Sequence, residues 1–389
     1  MSGRLNSEMH GSLGMAAYTQ TGTHGCRLRV LVLMRNYARN GVTTYANTVS
    51  AELAQQGHTV LQWPPSDGWR SGGAFGWPFL HPLAAPCLAP LLRAARPDVM
   101  LVHHYTQARL ATELQRRTGV PWVAVMHNGH GERRMGQWQA LLQGAAGVVT
   151  MCAAMHRVYD SLLAATDRPA SAAALPRVLC SRLPLRPAAL ERRASAGVRL
   201  AYCSRLSGAK GPRCETWLRA VAADPLLRQA QLRVIGGGSH LARLRRLAAV
   251  LGLGVEFTGS VAQPAAQLTD VDVLTGAGYA LIEGLAVGCV GVGLGFGGCT
   301  GVVDAQHFDA ACAVNFGDLS PDPLPTDAAS IAQALHAGLR MHADRQARDR
   351  LRQRALQHFA PGPIVEELAR YLVGAAAPQA TCALSSRPP

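Results

Sequence analysis

Short apolar runs alternate with amphipathic segments along most of the chain, and this alternation is what most constrains its fold. Residues 28–34 are an apolar run bounded by turn signals, residues 42–56 have helical spacing, and residues 58–63 are a second apolar run. Short, nearly unbroken apolar runs are typical of strands that are buried on both faces of a parallel sheet. The pattern therefore predicts a β-α-β unit, the start of a doubly wound α/β sheet.

A second series of the same kind begins after the middle of the chain. Apolar runs at 198–203 and 231–235 enclose a helical segment that begins at Pro212, a residue suited to the first turn of a helix. Residues 183–197 carry Pro, Arg and Ala without a clear strand pattern and are predicted to be a linker. A chain of 389 residues has the length for two domains. We therefore predict an α/β fold with two Rossmann-like domains that face a central cleft.

The domain boundaries follow from these patterns. We expect a disordered N-terminal extension at residues 1–26 and a disordered tail at 374–389. Between them we expect an N-terminal Rossmann-like domain at 27–185 and a C-terminal Rossmann-like domain at 198–358. A helix at 359–373 is expected to pack back on the N-terminal domain. The first 25 residues lack the apolar core of a signal peptide, and no apolar run has the length of a membrane span. A cytoplasmic protein is expected.

Charge and cysteine usage narrow the classes of ligand. The formal net charge of +14 suits phosphate-bearing ligands, nucleic acid or an anionic membrane surface, and does not choose among them. No basic run is interleaved with aromatic residues, so we expect no nucleic-acid partner. The ten cysteines form no C-x-x-C pair and are interpreted as small buried hydrophobic residues, not as disulfides or zinc ligands.

Residues 271–288 combine an apolar strand, a glycine-bearing turn and a helix with a single acid, Glu283. Unpaired amide groups at a helix start suit an anionic ligand. A carboxylate fixed beside them can accept hydrogen bonds from sugar or ribose hydroxyls. An ordinary strand-turn-helix of an α/β domain is the open alternative, because short motifs of this kind also occur without a ligand.

Two cations, Arg205 and Lys210, lie in a loop between a predicted strand and a predicted helix, and Lys210 is the single lysine among 38 basic residues. Cations beside free helix amides favour a diphosphate site, and exposed loop cations are the alternative. Gly236 and Gly237 follow another strand and would let a nucleotide approach the backbone, although this pattern is weaker than a dinucleotide-binding fingerprint.

Histidines end two neighbouring strands of the N-terminal half. His127 ends one, and His103 and His104 end the one before it. A histidine there can hydrogen-bond a sugar hydroxyl, and a structural histidine is the open alternative. Only one of His103 and His104 can face the cleft, because side chains alternate along a strand. These histidines lack helical i, i+4 spacing or a paired carboxylate, so we expect no metal.

Taken together and in order, five segments resemble the GT-B glycosyltransferases of family 4, the glycosyl transferases group 1. The segments are the turn at 35–44, His127, the loop at 205–211, the glycines at 235–238 and the stretch at 278–288. The resemblance covers residues 28–372. It implies a nucleotide-sugar donor on the C-terminal half and an acceptor, namely a glycan, a lipid-linked saccharide or a small molecule, on the N-terminal half. Family members retain the anomeric configuration and need no metal.

The resemblance also implies roles for single residues. Arg205 and Lys210 would hold the donor diphosphate and stabilise the leaving group, which agrees with a site that needs no Mg²⁺ because cations and helix amides meet the charge. His127 would contact the transferred sugar, and Glu283 would bind the ribose. The catalytic residues implied are His127, Arg205 and Lys210. The donor-binding residues implied are Gly41, Arg205, Lys210, Gly236, Gly237, Gly278 and Glu283.

The chain departs from the family pattern at two places. The family often has an additional acid, separated by seven residues from the helix acid, that contacts the transferred sugar; here that position is Thr275. The first turn has Gly41 where the family has paired glycines. These departures leave open a catalytically weak GT-B protein that binds nucleotide-sugar or glycan as a partner or scaffold. Peripheral contact with the anionic inner face of a membrane also stays open.

Overall fold

The computed structural model of the chain describes residues 16–18, 26–35, 40–63, 82–129, 132–165, 176–193 and 197–377. Within these ranges the chain forms two mainly parallel sheets, one in each half, with helices packed against both. The predicted α/β class with a Rossmann-like sheet in each half is confirmed.

The first sheet belongs to the N-terminal half. Its strands are β1 (Ala16–Tyr18), β2 (Arg29–Leu33), β3 (Thr59–Trp63), β4 (Val99–Val102), β5 (Trp122–Met126), β6 (Gly147–Thr150) and β7 (Arg177–Cys180). They lie in the order β1-β3-β2-β4-β5-β6-β7, and every pair is parallel except β1 with β3. The helices of this half are α1 (Gly41–Gln55), α2 (Ala85–Ala95), α3 (Tyr105–Thr118), α4 (Glu132–Leu142) and α5 (Ala153–Ala164).

The second sheet belongs to the C-terminal half. Its strands are β8 (Arg199–Cys203), β9 (Gln231–Ile235), β10 (Val255–Gly259), β11 (Val273–Gly276), β12 (Val290–Leu294) and β13 (Cys299–Val303). They lie in the order β10-β9-β8-β11-β12-β13, and β13 is the antiparallel edge strand. The helices that follow in chain order are α6 (Lys210–Ala223), α7 (Leu241–Val250), α8 (Tyr279–Val287), α9 (Phe308–Ala313), α10 (Ala328–Ala343), α11 (Arg345–His358) and α12 (Pro361–Ala376).

Local sequence explains how several elements begin and end. The strands β4, β5 and β12 are buried at every position, which is why their sequences are unbroken apolar runs and do not alternate. Helix α1 begins after Asn40, whose side-chain oxygen accepts hydrogen bonds from the Val42 and Thr43 amides. Helix α3 ends at Gly119, whose φ of 78° suits a residue without a Cβ. The helices thus start close to the strand ends that carry the predicted site residues.

The last helix connects the two halves. Helix α12 packs against α1, and the Gln56 side-chain amide donates to the Gly362 carbonyl at 3.1 Å. The Tyr371 hydroxyl accepts from the Val148 amide at 2.8 Å and donates to the Arg177 carbonyl at 2.5 Å. One apolar core cluster contains buried residues of both halves, including Val49 of α1. The C-terminal helix therefore lies on the N-terminal half of the molecule.

The described residues differ from the predicted boundaries at both ends. Strand β1 lies inside the extension that was expected at 1–26, because an Ala-Ala-Tyr segment is only recognisable as a strand once it pairs with the backbone of β3. Helix α12 continues to Ala376, beyond the expected end at 373, since its last residues include two alanines. The rest of both terminal segments lies outside the described residues. None of the described helices combines the length and apolarity that a membrane span requires.

Candidate active site

Three predicted site segments meet at one edge of the second sheet. Strands β9, β8 and β11 are adjacent and parallel, so their carboxyl ends lie side by side. The connection after β8 leads to Lys210, and the connection after β11 contains Gly278 and leads into α8 with Glu283. Ligands of open α/β sheets bind at this edge. We call Lys210, Gly278, Glu283 and Asp318 the strand-end cluster; Asp318 contacts Lys210 and lies beside Gly278.

Lys210 is paired with Asp318. Its Nζ atom lies 2.9 Å from Oδ1 and 3.1 Å from Oδ2 of Asp318, and 4.6 Å from the centre of the Phe296 ring. The two charged side chains are only 15% and 17% exposed. A lysine ammonium is a compact point charge with three donors, so it can turn from a carboxylate to the oxygens of a bound phosphate.

Arg205 and the two glycines of the next strand end form the outer side of this edge. Arg205 is exposed, unlike Lys210. The Gly237 carbonyl accepts a hydrogen bond from the Leu206 amide at 2.9 Å, and a Cβ on Gly236 would collide with the Ser204 carbonyl. Gly236 and Gly237 therefore hold the Arg205 loop in place through close backbone packing. The structure shows them as supports of that loop.

Gly278 and Glu283 lie before and within α8. Gly278 has a φ of 56°, and a Cβ there would stand 3.6 Å from Asp318 Oδ2. The Oε2 atom of Glu283 is buried and has no hydrogen-bond partner among the described residues. Burial raises the pKa of Glu283 to about 7. A buried acceptor without a partner is a place where a ligand hydroxyl can donate a hydrogen bond.

Thr275 does not contribute to this edge. Its side chain is fully buried, and its hydroxyl oxygen accepts a hydrogen bond from Trp217 Nε1 at 3.1 Å. Trp217 belongs to α6 and is itself buried. Thr275 thus acts as a core residue that satisfies the indole N–H.

Replacing Thr275 with valine is expected to destabilise the protein by about 1–3 kcal/mol, because the buried indole N–H of Trp217 loses its acceptor while the side-chain shape is kept. Ligand affinity should stay at the wild-type value. A T275E variant should unfold, because the carboxylate would be placed in the core. Chemical denaturation and ligand titration of both variants check this. A stable T275E protein with a new ligand affinity would contradict the core assignment.

Two histidines of the N-terminal half pack against Tyr45, and we call Tyr45, His103 and His127 the histidine cluster; Tyr45 and His103 are buried and His127 is half-buried. His103 Nδ1 and His127 Nε2 lie 2.9 Å apart, so one nitrogen donates and the other accepts. The Tyr45 ring meets both imidazoles edge-on, at centre distances of 5.8 and 5.2 Å. Burial lowers the pKa of His127 to about 3 and holds the pKa of His103 well below its usual range. The two imidazoles are therefore neutral near pH 7.

Unpartnered polar atoms mark this cluster as well. The Tyr45 hydroxyl and His103 Nε2 are buried and have no partner among the described residues. His104 is half-buried, and burial together with the nearby Arg35 charge lowers its pKa to about 4. The alternation of side chains at this strand end thus buries His103 against His127 and leaves His104 on the more open side.

Segments next to the strand-end cluster contact segments next to the histidine cluster, so the two halves meet near both clusters. A Cβ on Gly41, at the start of α1, would stand 3.3 Å from the Tyr279 ring at the start of α8. A Cβ on Gly129, two residues after His127, would stand 2.7 Å from Leu319 Cδ1. Leu319 is the neighbour of Asp318, so the end of β5 lies beside the turn that carries Asp318.

Sequence reasoning missed Asp318 and the turn before it. Asn315, Phe316 and Gly317 have φ angles of 49°, 58° and 90°, so two non-glycine residues adopt the left-handed region in succession. Strain of this kind gathers at functional sites. The segment Asn-Phe-Gly-Asp gives no periodic or motif signal that would have identified it. Among the described residues no group of His, Cys, Asp and Glu could hold a metal ion.

Comparison with solved structures identifies the fold of the chain. No protein-family model matches the chain, and no curated protein matches it in sequence. Solved structures do match over most of its length. HepE of Anabaena in complex with UDP-glucose is 15% identical and has a TM-score of 0.64, with 89% of this chain and 100% of that chain covered. The chain has the GT-B fold.

Two further structures agree with the GT-B assignment. Sucrose-phosphate synthase from Thermosynechococcus elongatus is 17% identical, with a TM-score of 0.63 and coverage of 88% of this chain and 98% of that chain. The lipopolysaccharide outer core galactosyltransferase WaaB in its apo form is 12% identical, with a TM-score of 0.58 and coverage of 89% and 99%. The predicted arrangement of two Rossmann-like domains is thereby confirmed, and membership of family 4 stays a prediction.

Proposed function

We propose that the protein is a glycosyltransferase that moves a sugar from a nucleoside-diphosphate-sugar to an acceptor. The observation that carries this proposal is the pairing, on adjacent strand ends, of a shielded cation at Lys210 with a buried, unpartnered carboxylate oxygen at Glu283. One group suits a diphosphate and the other suits the ribose of the same ligand. HepE, which shares the fold, was solved with UDP-glucose, and this supports a ligand of that class.

The chemistry follows from where negative charge develops. The bond from the anomeric carbon to the diphosphate oxygen breaks, and both electrons leave with the diphosphate. The acceptor hydroxyl oxygen forms the new bond to the anomeric carbon, and its proton passes to the departing phosphate. Lys210, Arg205 and the first amides of α8 stabilise the leaving charge, so we propose a reaction without a metal or other cofactor. We also propose that a hexose is transferred with retention of configuration, as in family 4.

His127 is proposed to orient the transferred sugar. Its imidazole is neutral near pH 7 because burial lowers its pKa to about 3, so it acts as a hydrogen-bonding group and not as a proton donor with a positive charge. His103 fixes the His127 ring through the 2.9 Å contact between their nitrogens. The acceptor, a glycan, a lipid-linked saccharide or a small molecule, is proposed to bind on this N-terminal side. The protein is proposed to act in the cytoplasm, with peripheral contact at the inner membrane face if the acceptor is lipid-linked.

A second candidate is a GT-B protein that binds nucleotide-sugar or glycan without efficient turnover. The burial of Thr275 favours it, because this position offers no acid to the transferred sugar. Binding without release of nucleoside diphosphate would identify this second function, whereas turnover would exclude it.

The test is a thermal-shift panel with UDP, GDP and ADP and with UDP-glucose, UDP-galactose, UDP-N-acetylglucosamine and GDP-mannose. A ligand that binds only the native state at about 100 times its Kd stabilises the protein by about 2.7 kcal/mol, so at least one nucleoside diphosphate should raise the melting temperature by several degrees. The shift should vanish in K210M and persist in R219A, which removes an exposed charge from the same helix. No shift with any of these ligands would contradict the proposal.

A further inference from the structure

We infer that Asp318 binds the sugar of the donor and sets which sugar is accepted. This inference rests on the proposed function and extends it to a residue that no sequence pattern indicated. The observation behind it is the position of the Asp318 carboxylate, which touches the Lys210 ammonium and lies 3.6 Å from the point where Gly278 would carry a Cβ.

The turn before Asp318 is built to hold this carboxylate in place. Two successive non-glycine residues, Asn315 and Phe316, have positive φ angles of 49° and 58°. Phe316 is 1% exposed, which anchors the turn in the core. The Gly317 carbonyl accepts a hydrogen bond from the Gly297 amide at 2.7 Å. Strained backbone of this kind persists only where the surroundings enforce it, so the turn that precedes Asp318 is held in a fixed shape.

The Asp318 carboxylate has a full set of partners before any donor binds. Oδ1 accepts from Lys210 at 2.9 Å and from the Phe296 amide at 3.2 Å. Oδ2 accepts from Lys210 at 3.1 Å and from the Asn315 side-chain amide at 3.4 Å. A carboxylate offers about four acceptor positions, so Lys210 occupies half of the capacity of this group.

Donor binding exchanges these partners. When Lys210 turns to the diphosphate, Asp318 loses its two lysine contacts and faces the added negative charge of the phosphates. A largely buried carboxylate in that state is unfavourable unless new donors replace the lysine. The sugar is attached to the same diphosphate and carries several hydroxyl donors. A sugar whose hydroxyls reach Asp318 completes the exchange, and a sugar whose hydroxyls point elsewhere does not.

The location of Asp318 between the halves agrees with this role. Its neighbour Leu319 packs against the core of the N-terminal half and meets Gly129, which follows His127 by two residues. Burial raises the pKa of Cys152, the residue just before α5 in the N-terminal half, and the nearby Asp318 charge adds to this rise. The carboxylate therefore stands on the C-terminal side of the space that His127 borders from the N-terminal side.

The test compares affinities for each sugar donor and for its free nucleoside diphosphate, by calorimetry with UDP-glucose, UDP-galactose and UDP-N-acetylglucosamine against UDP, and with GDP-mannose against GDP. In D318N the Kd of the nucleoside diphosphate should stay at the wild-type value or fall, because Lys210 is no longer paired with a charge. The Kd of the preferred sugar donor, relative to that of its nucleoside diphosphate, should rise roughly 10- to 100-fold, the range for lost hydrogen bonds to a charged group. Preference among the UDP-sugars should weaken.

Two further variants make the outcome decisive. D318E keeps the negative charge beside Lys210 but displaces the carboxylate by one methylene, so the affinity ratio should still rise. Asp322, exposed in the same connection, gives the matched control D322N, which should behave as wild type. Equal changes in both affinities, or a wild-type ratio in D318E, would show that Asp318 only neutralises Lys210 and would overturn this inference alone. Wild-type protein that binds none of these ligands would overturn the proposed function together with it.

Discussion

Replacing Lys210 with methionine is expected to reduce sugar transfer by roughly 100- to 1,000-fold, the effect of removing one preorganised donor from a developing negative charge. Methionine keeps an unbranched apolar side chain but ends one atom short of the Nζ that lies 4.6 Å from the centre of the Phe296 ring. What is lost is the positive charge that would follow the leaving diphosphate. Steady-state release of nucleoside diphosphate from the preferred donor measures the effect.

The same substitution should lower stability, because Asp318 is only 17% exposed and would lose its ion-pair partner. The double variant K210M/D318N removes both charges and should recover the stability without recovering transfer. R219A is the charge control, since Arg219 is exposed on α6. Transfer at the wild-type rate in K210M, with the fold intact, would contradict the assignment of Lys210 to the leaving group.

Replacing Glu283 with glutamine is expected to stabilise the ligand-free protein at high pH while weakening donor binding. Burial raises the pKa of Glu283 from 4.5 to about 7, so the folded state holds the proton more tightly than the unfolded state. The free energy of unfolding should therefore fall as pH rises from 4.5 to 7. Above pH 7 the destabilisation caused by the charged, buried carboxylate is fully present. A shift of this size corresponds to about 3 kcal/mol. E283Q has no such cost, so its melting temperature should exceed that of wild type at pH 8 and match it at pH 4.5.

Donor affinity should show the opposite pH dependence. In the proposed site the carboxylate form of Glu283 accepts hydrogen bonds from the ribose hydroxyls. Affinity for UDP-glucose, whose diphosphate diester does not titrate in this range, should therefore increase as pH rises through about 7. His127 should not contribute, because its pKa is about 3. In E283Q the pH dependence should disappear. E366Q is the control, since Glu366 is exposed on α12. An unchanged pH profile in E283Q would show that another group titrates.

The sequence predicts most of the architecture because strands buried on both faces leave a local apolar signal. The apolar runs that form β2, β4 and β8 can be recognised from their own sequences, without knowledge of the strands they pair with. The positions of the loops after them can then be predicted as well. That Lys210 and Glu283 lie at one edge of the second sheet could be predicted, because parallel strands bring their carboxyl ends together. Strand β1 could not be predicted, since its three residues form a strand only by pairing with β3.

The site was less accessible to prediction than the fold. Asp318 contacts Lys210 although the two residues are 108 positions apart in the chain. The turn that places Asp318 has positive φ angles at Asn315 and Phe316, and no local sequence pattern predicts them. The hydrogen bond between Thr275 and Trp217 depends on how α6 packs on β11, and the contact between His103 and His127 depends on the pairing of β4 with β5. Such pairings arise from tertiary packing, so a single sequence does not show them.

The central claim is that Lys210 and Glu283 hold opposite ends of one ligand, and truncating the ligand tests it most directly. Affinities of wild type, K210M and E283Q should be measured for UDP and for uridine. If GDP or ADP gives a larger thermal shift than UDP, that nucleoside diphosphate and its nucleoside should be used instead. We predict that K210M weakens the binding of UDP but leaves the affinity for uridine unchanged, because uridine has no phosphate. We predict that E283Q weakens both, because both carry the ribose. Uridine affinity that falls in K210M and is unaffected by E283Q would contradict the account.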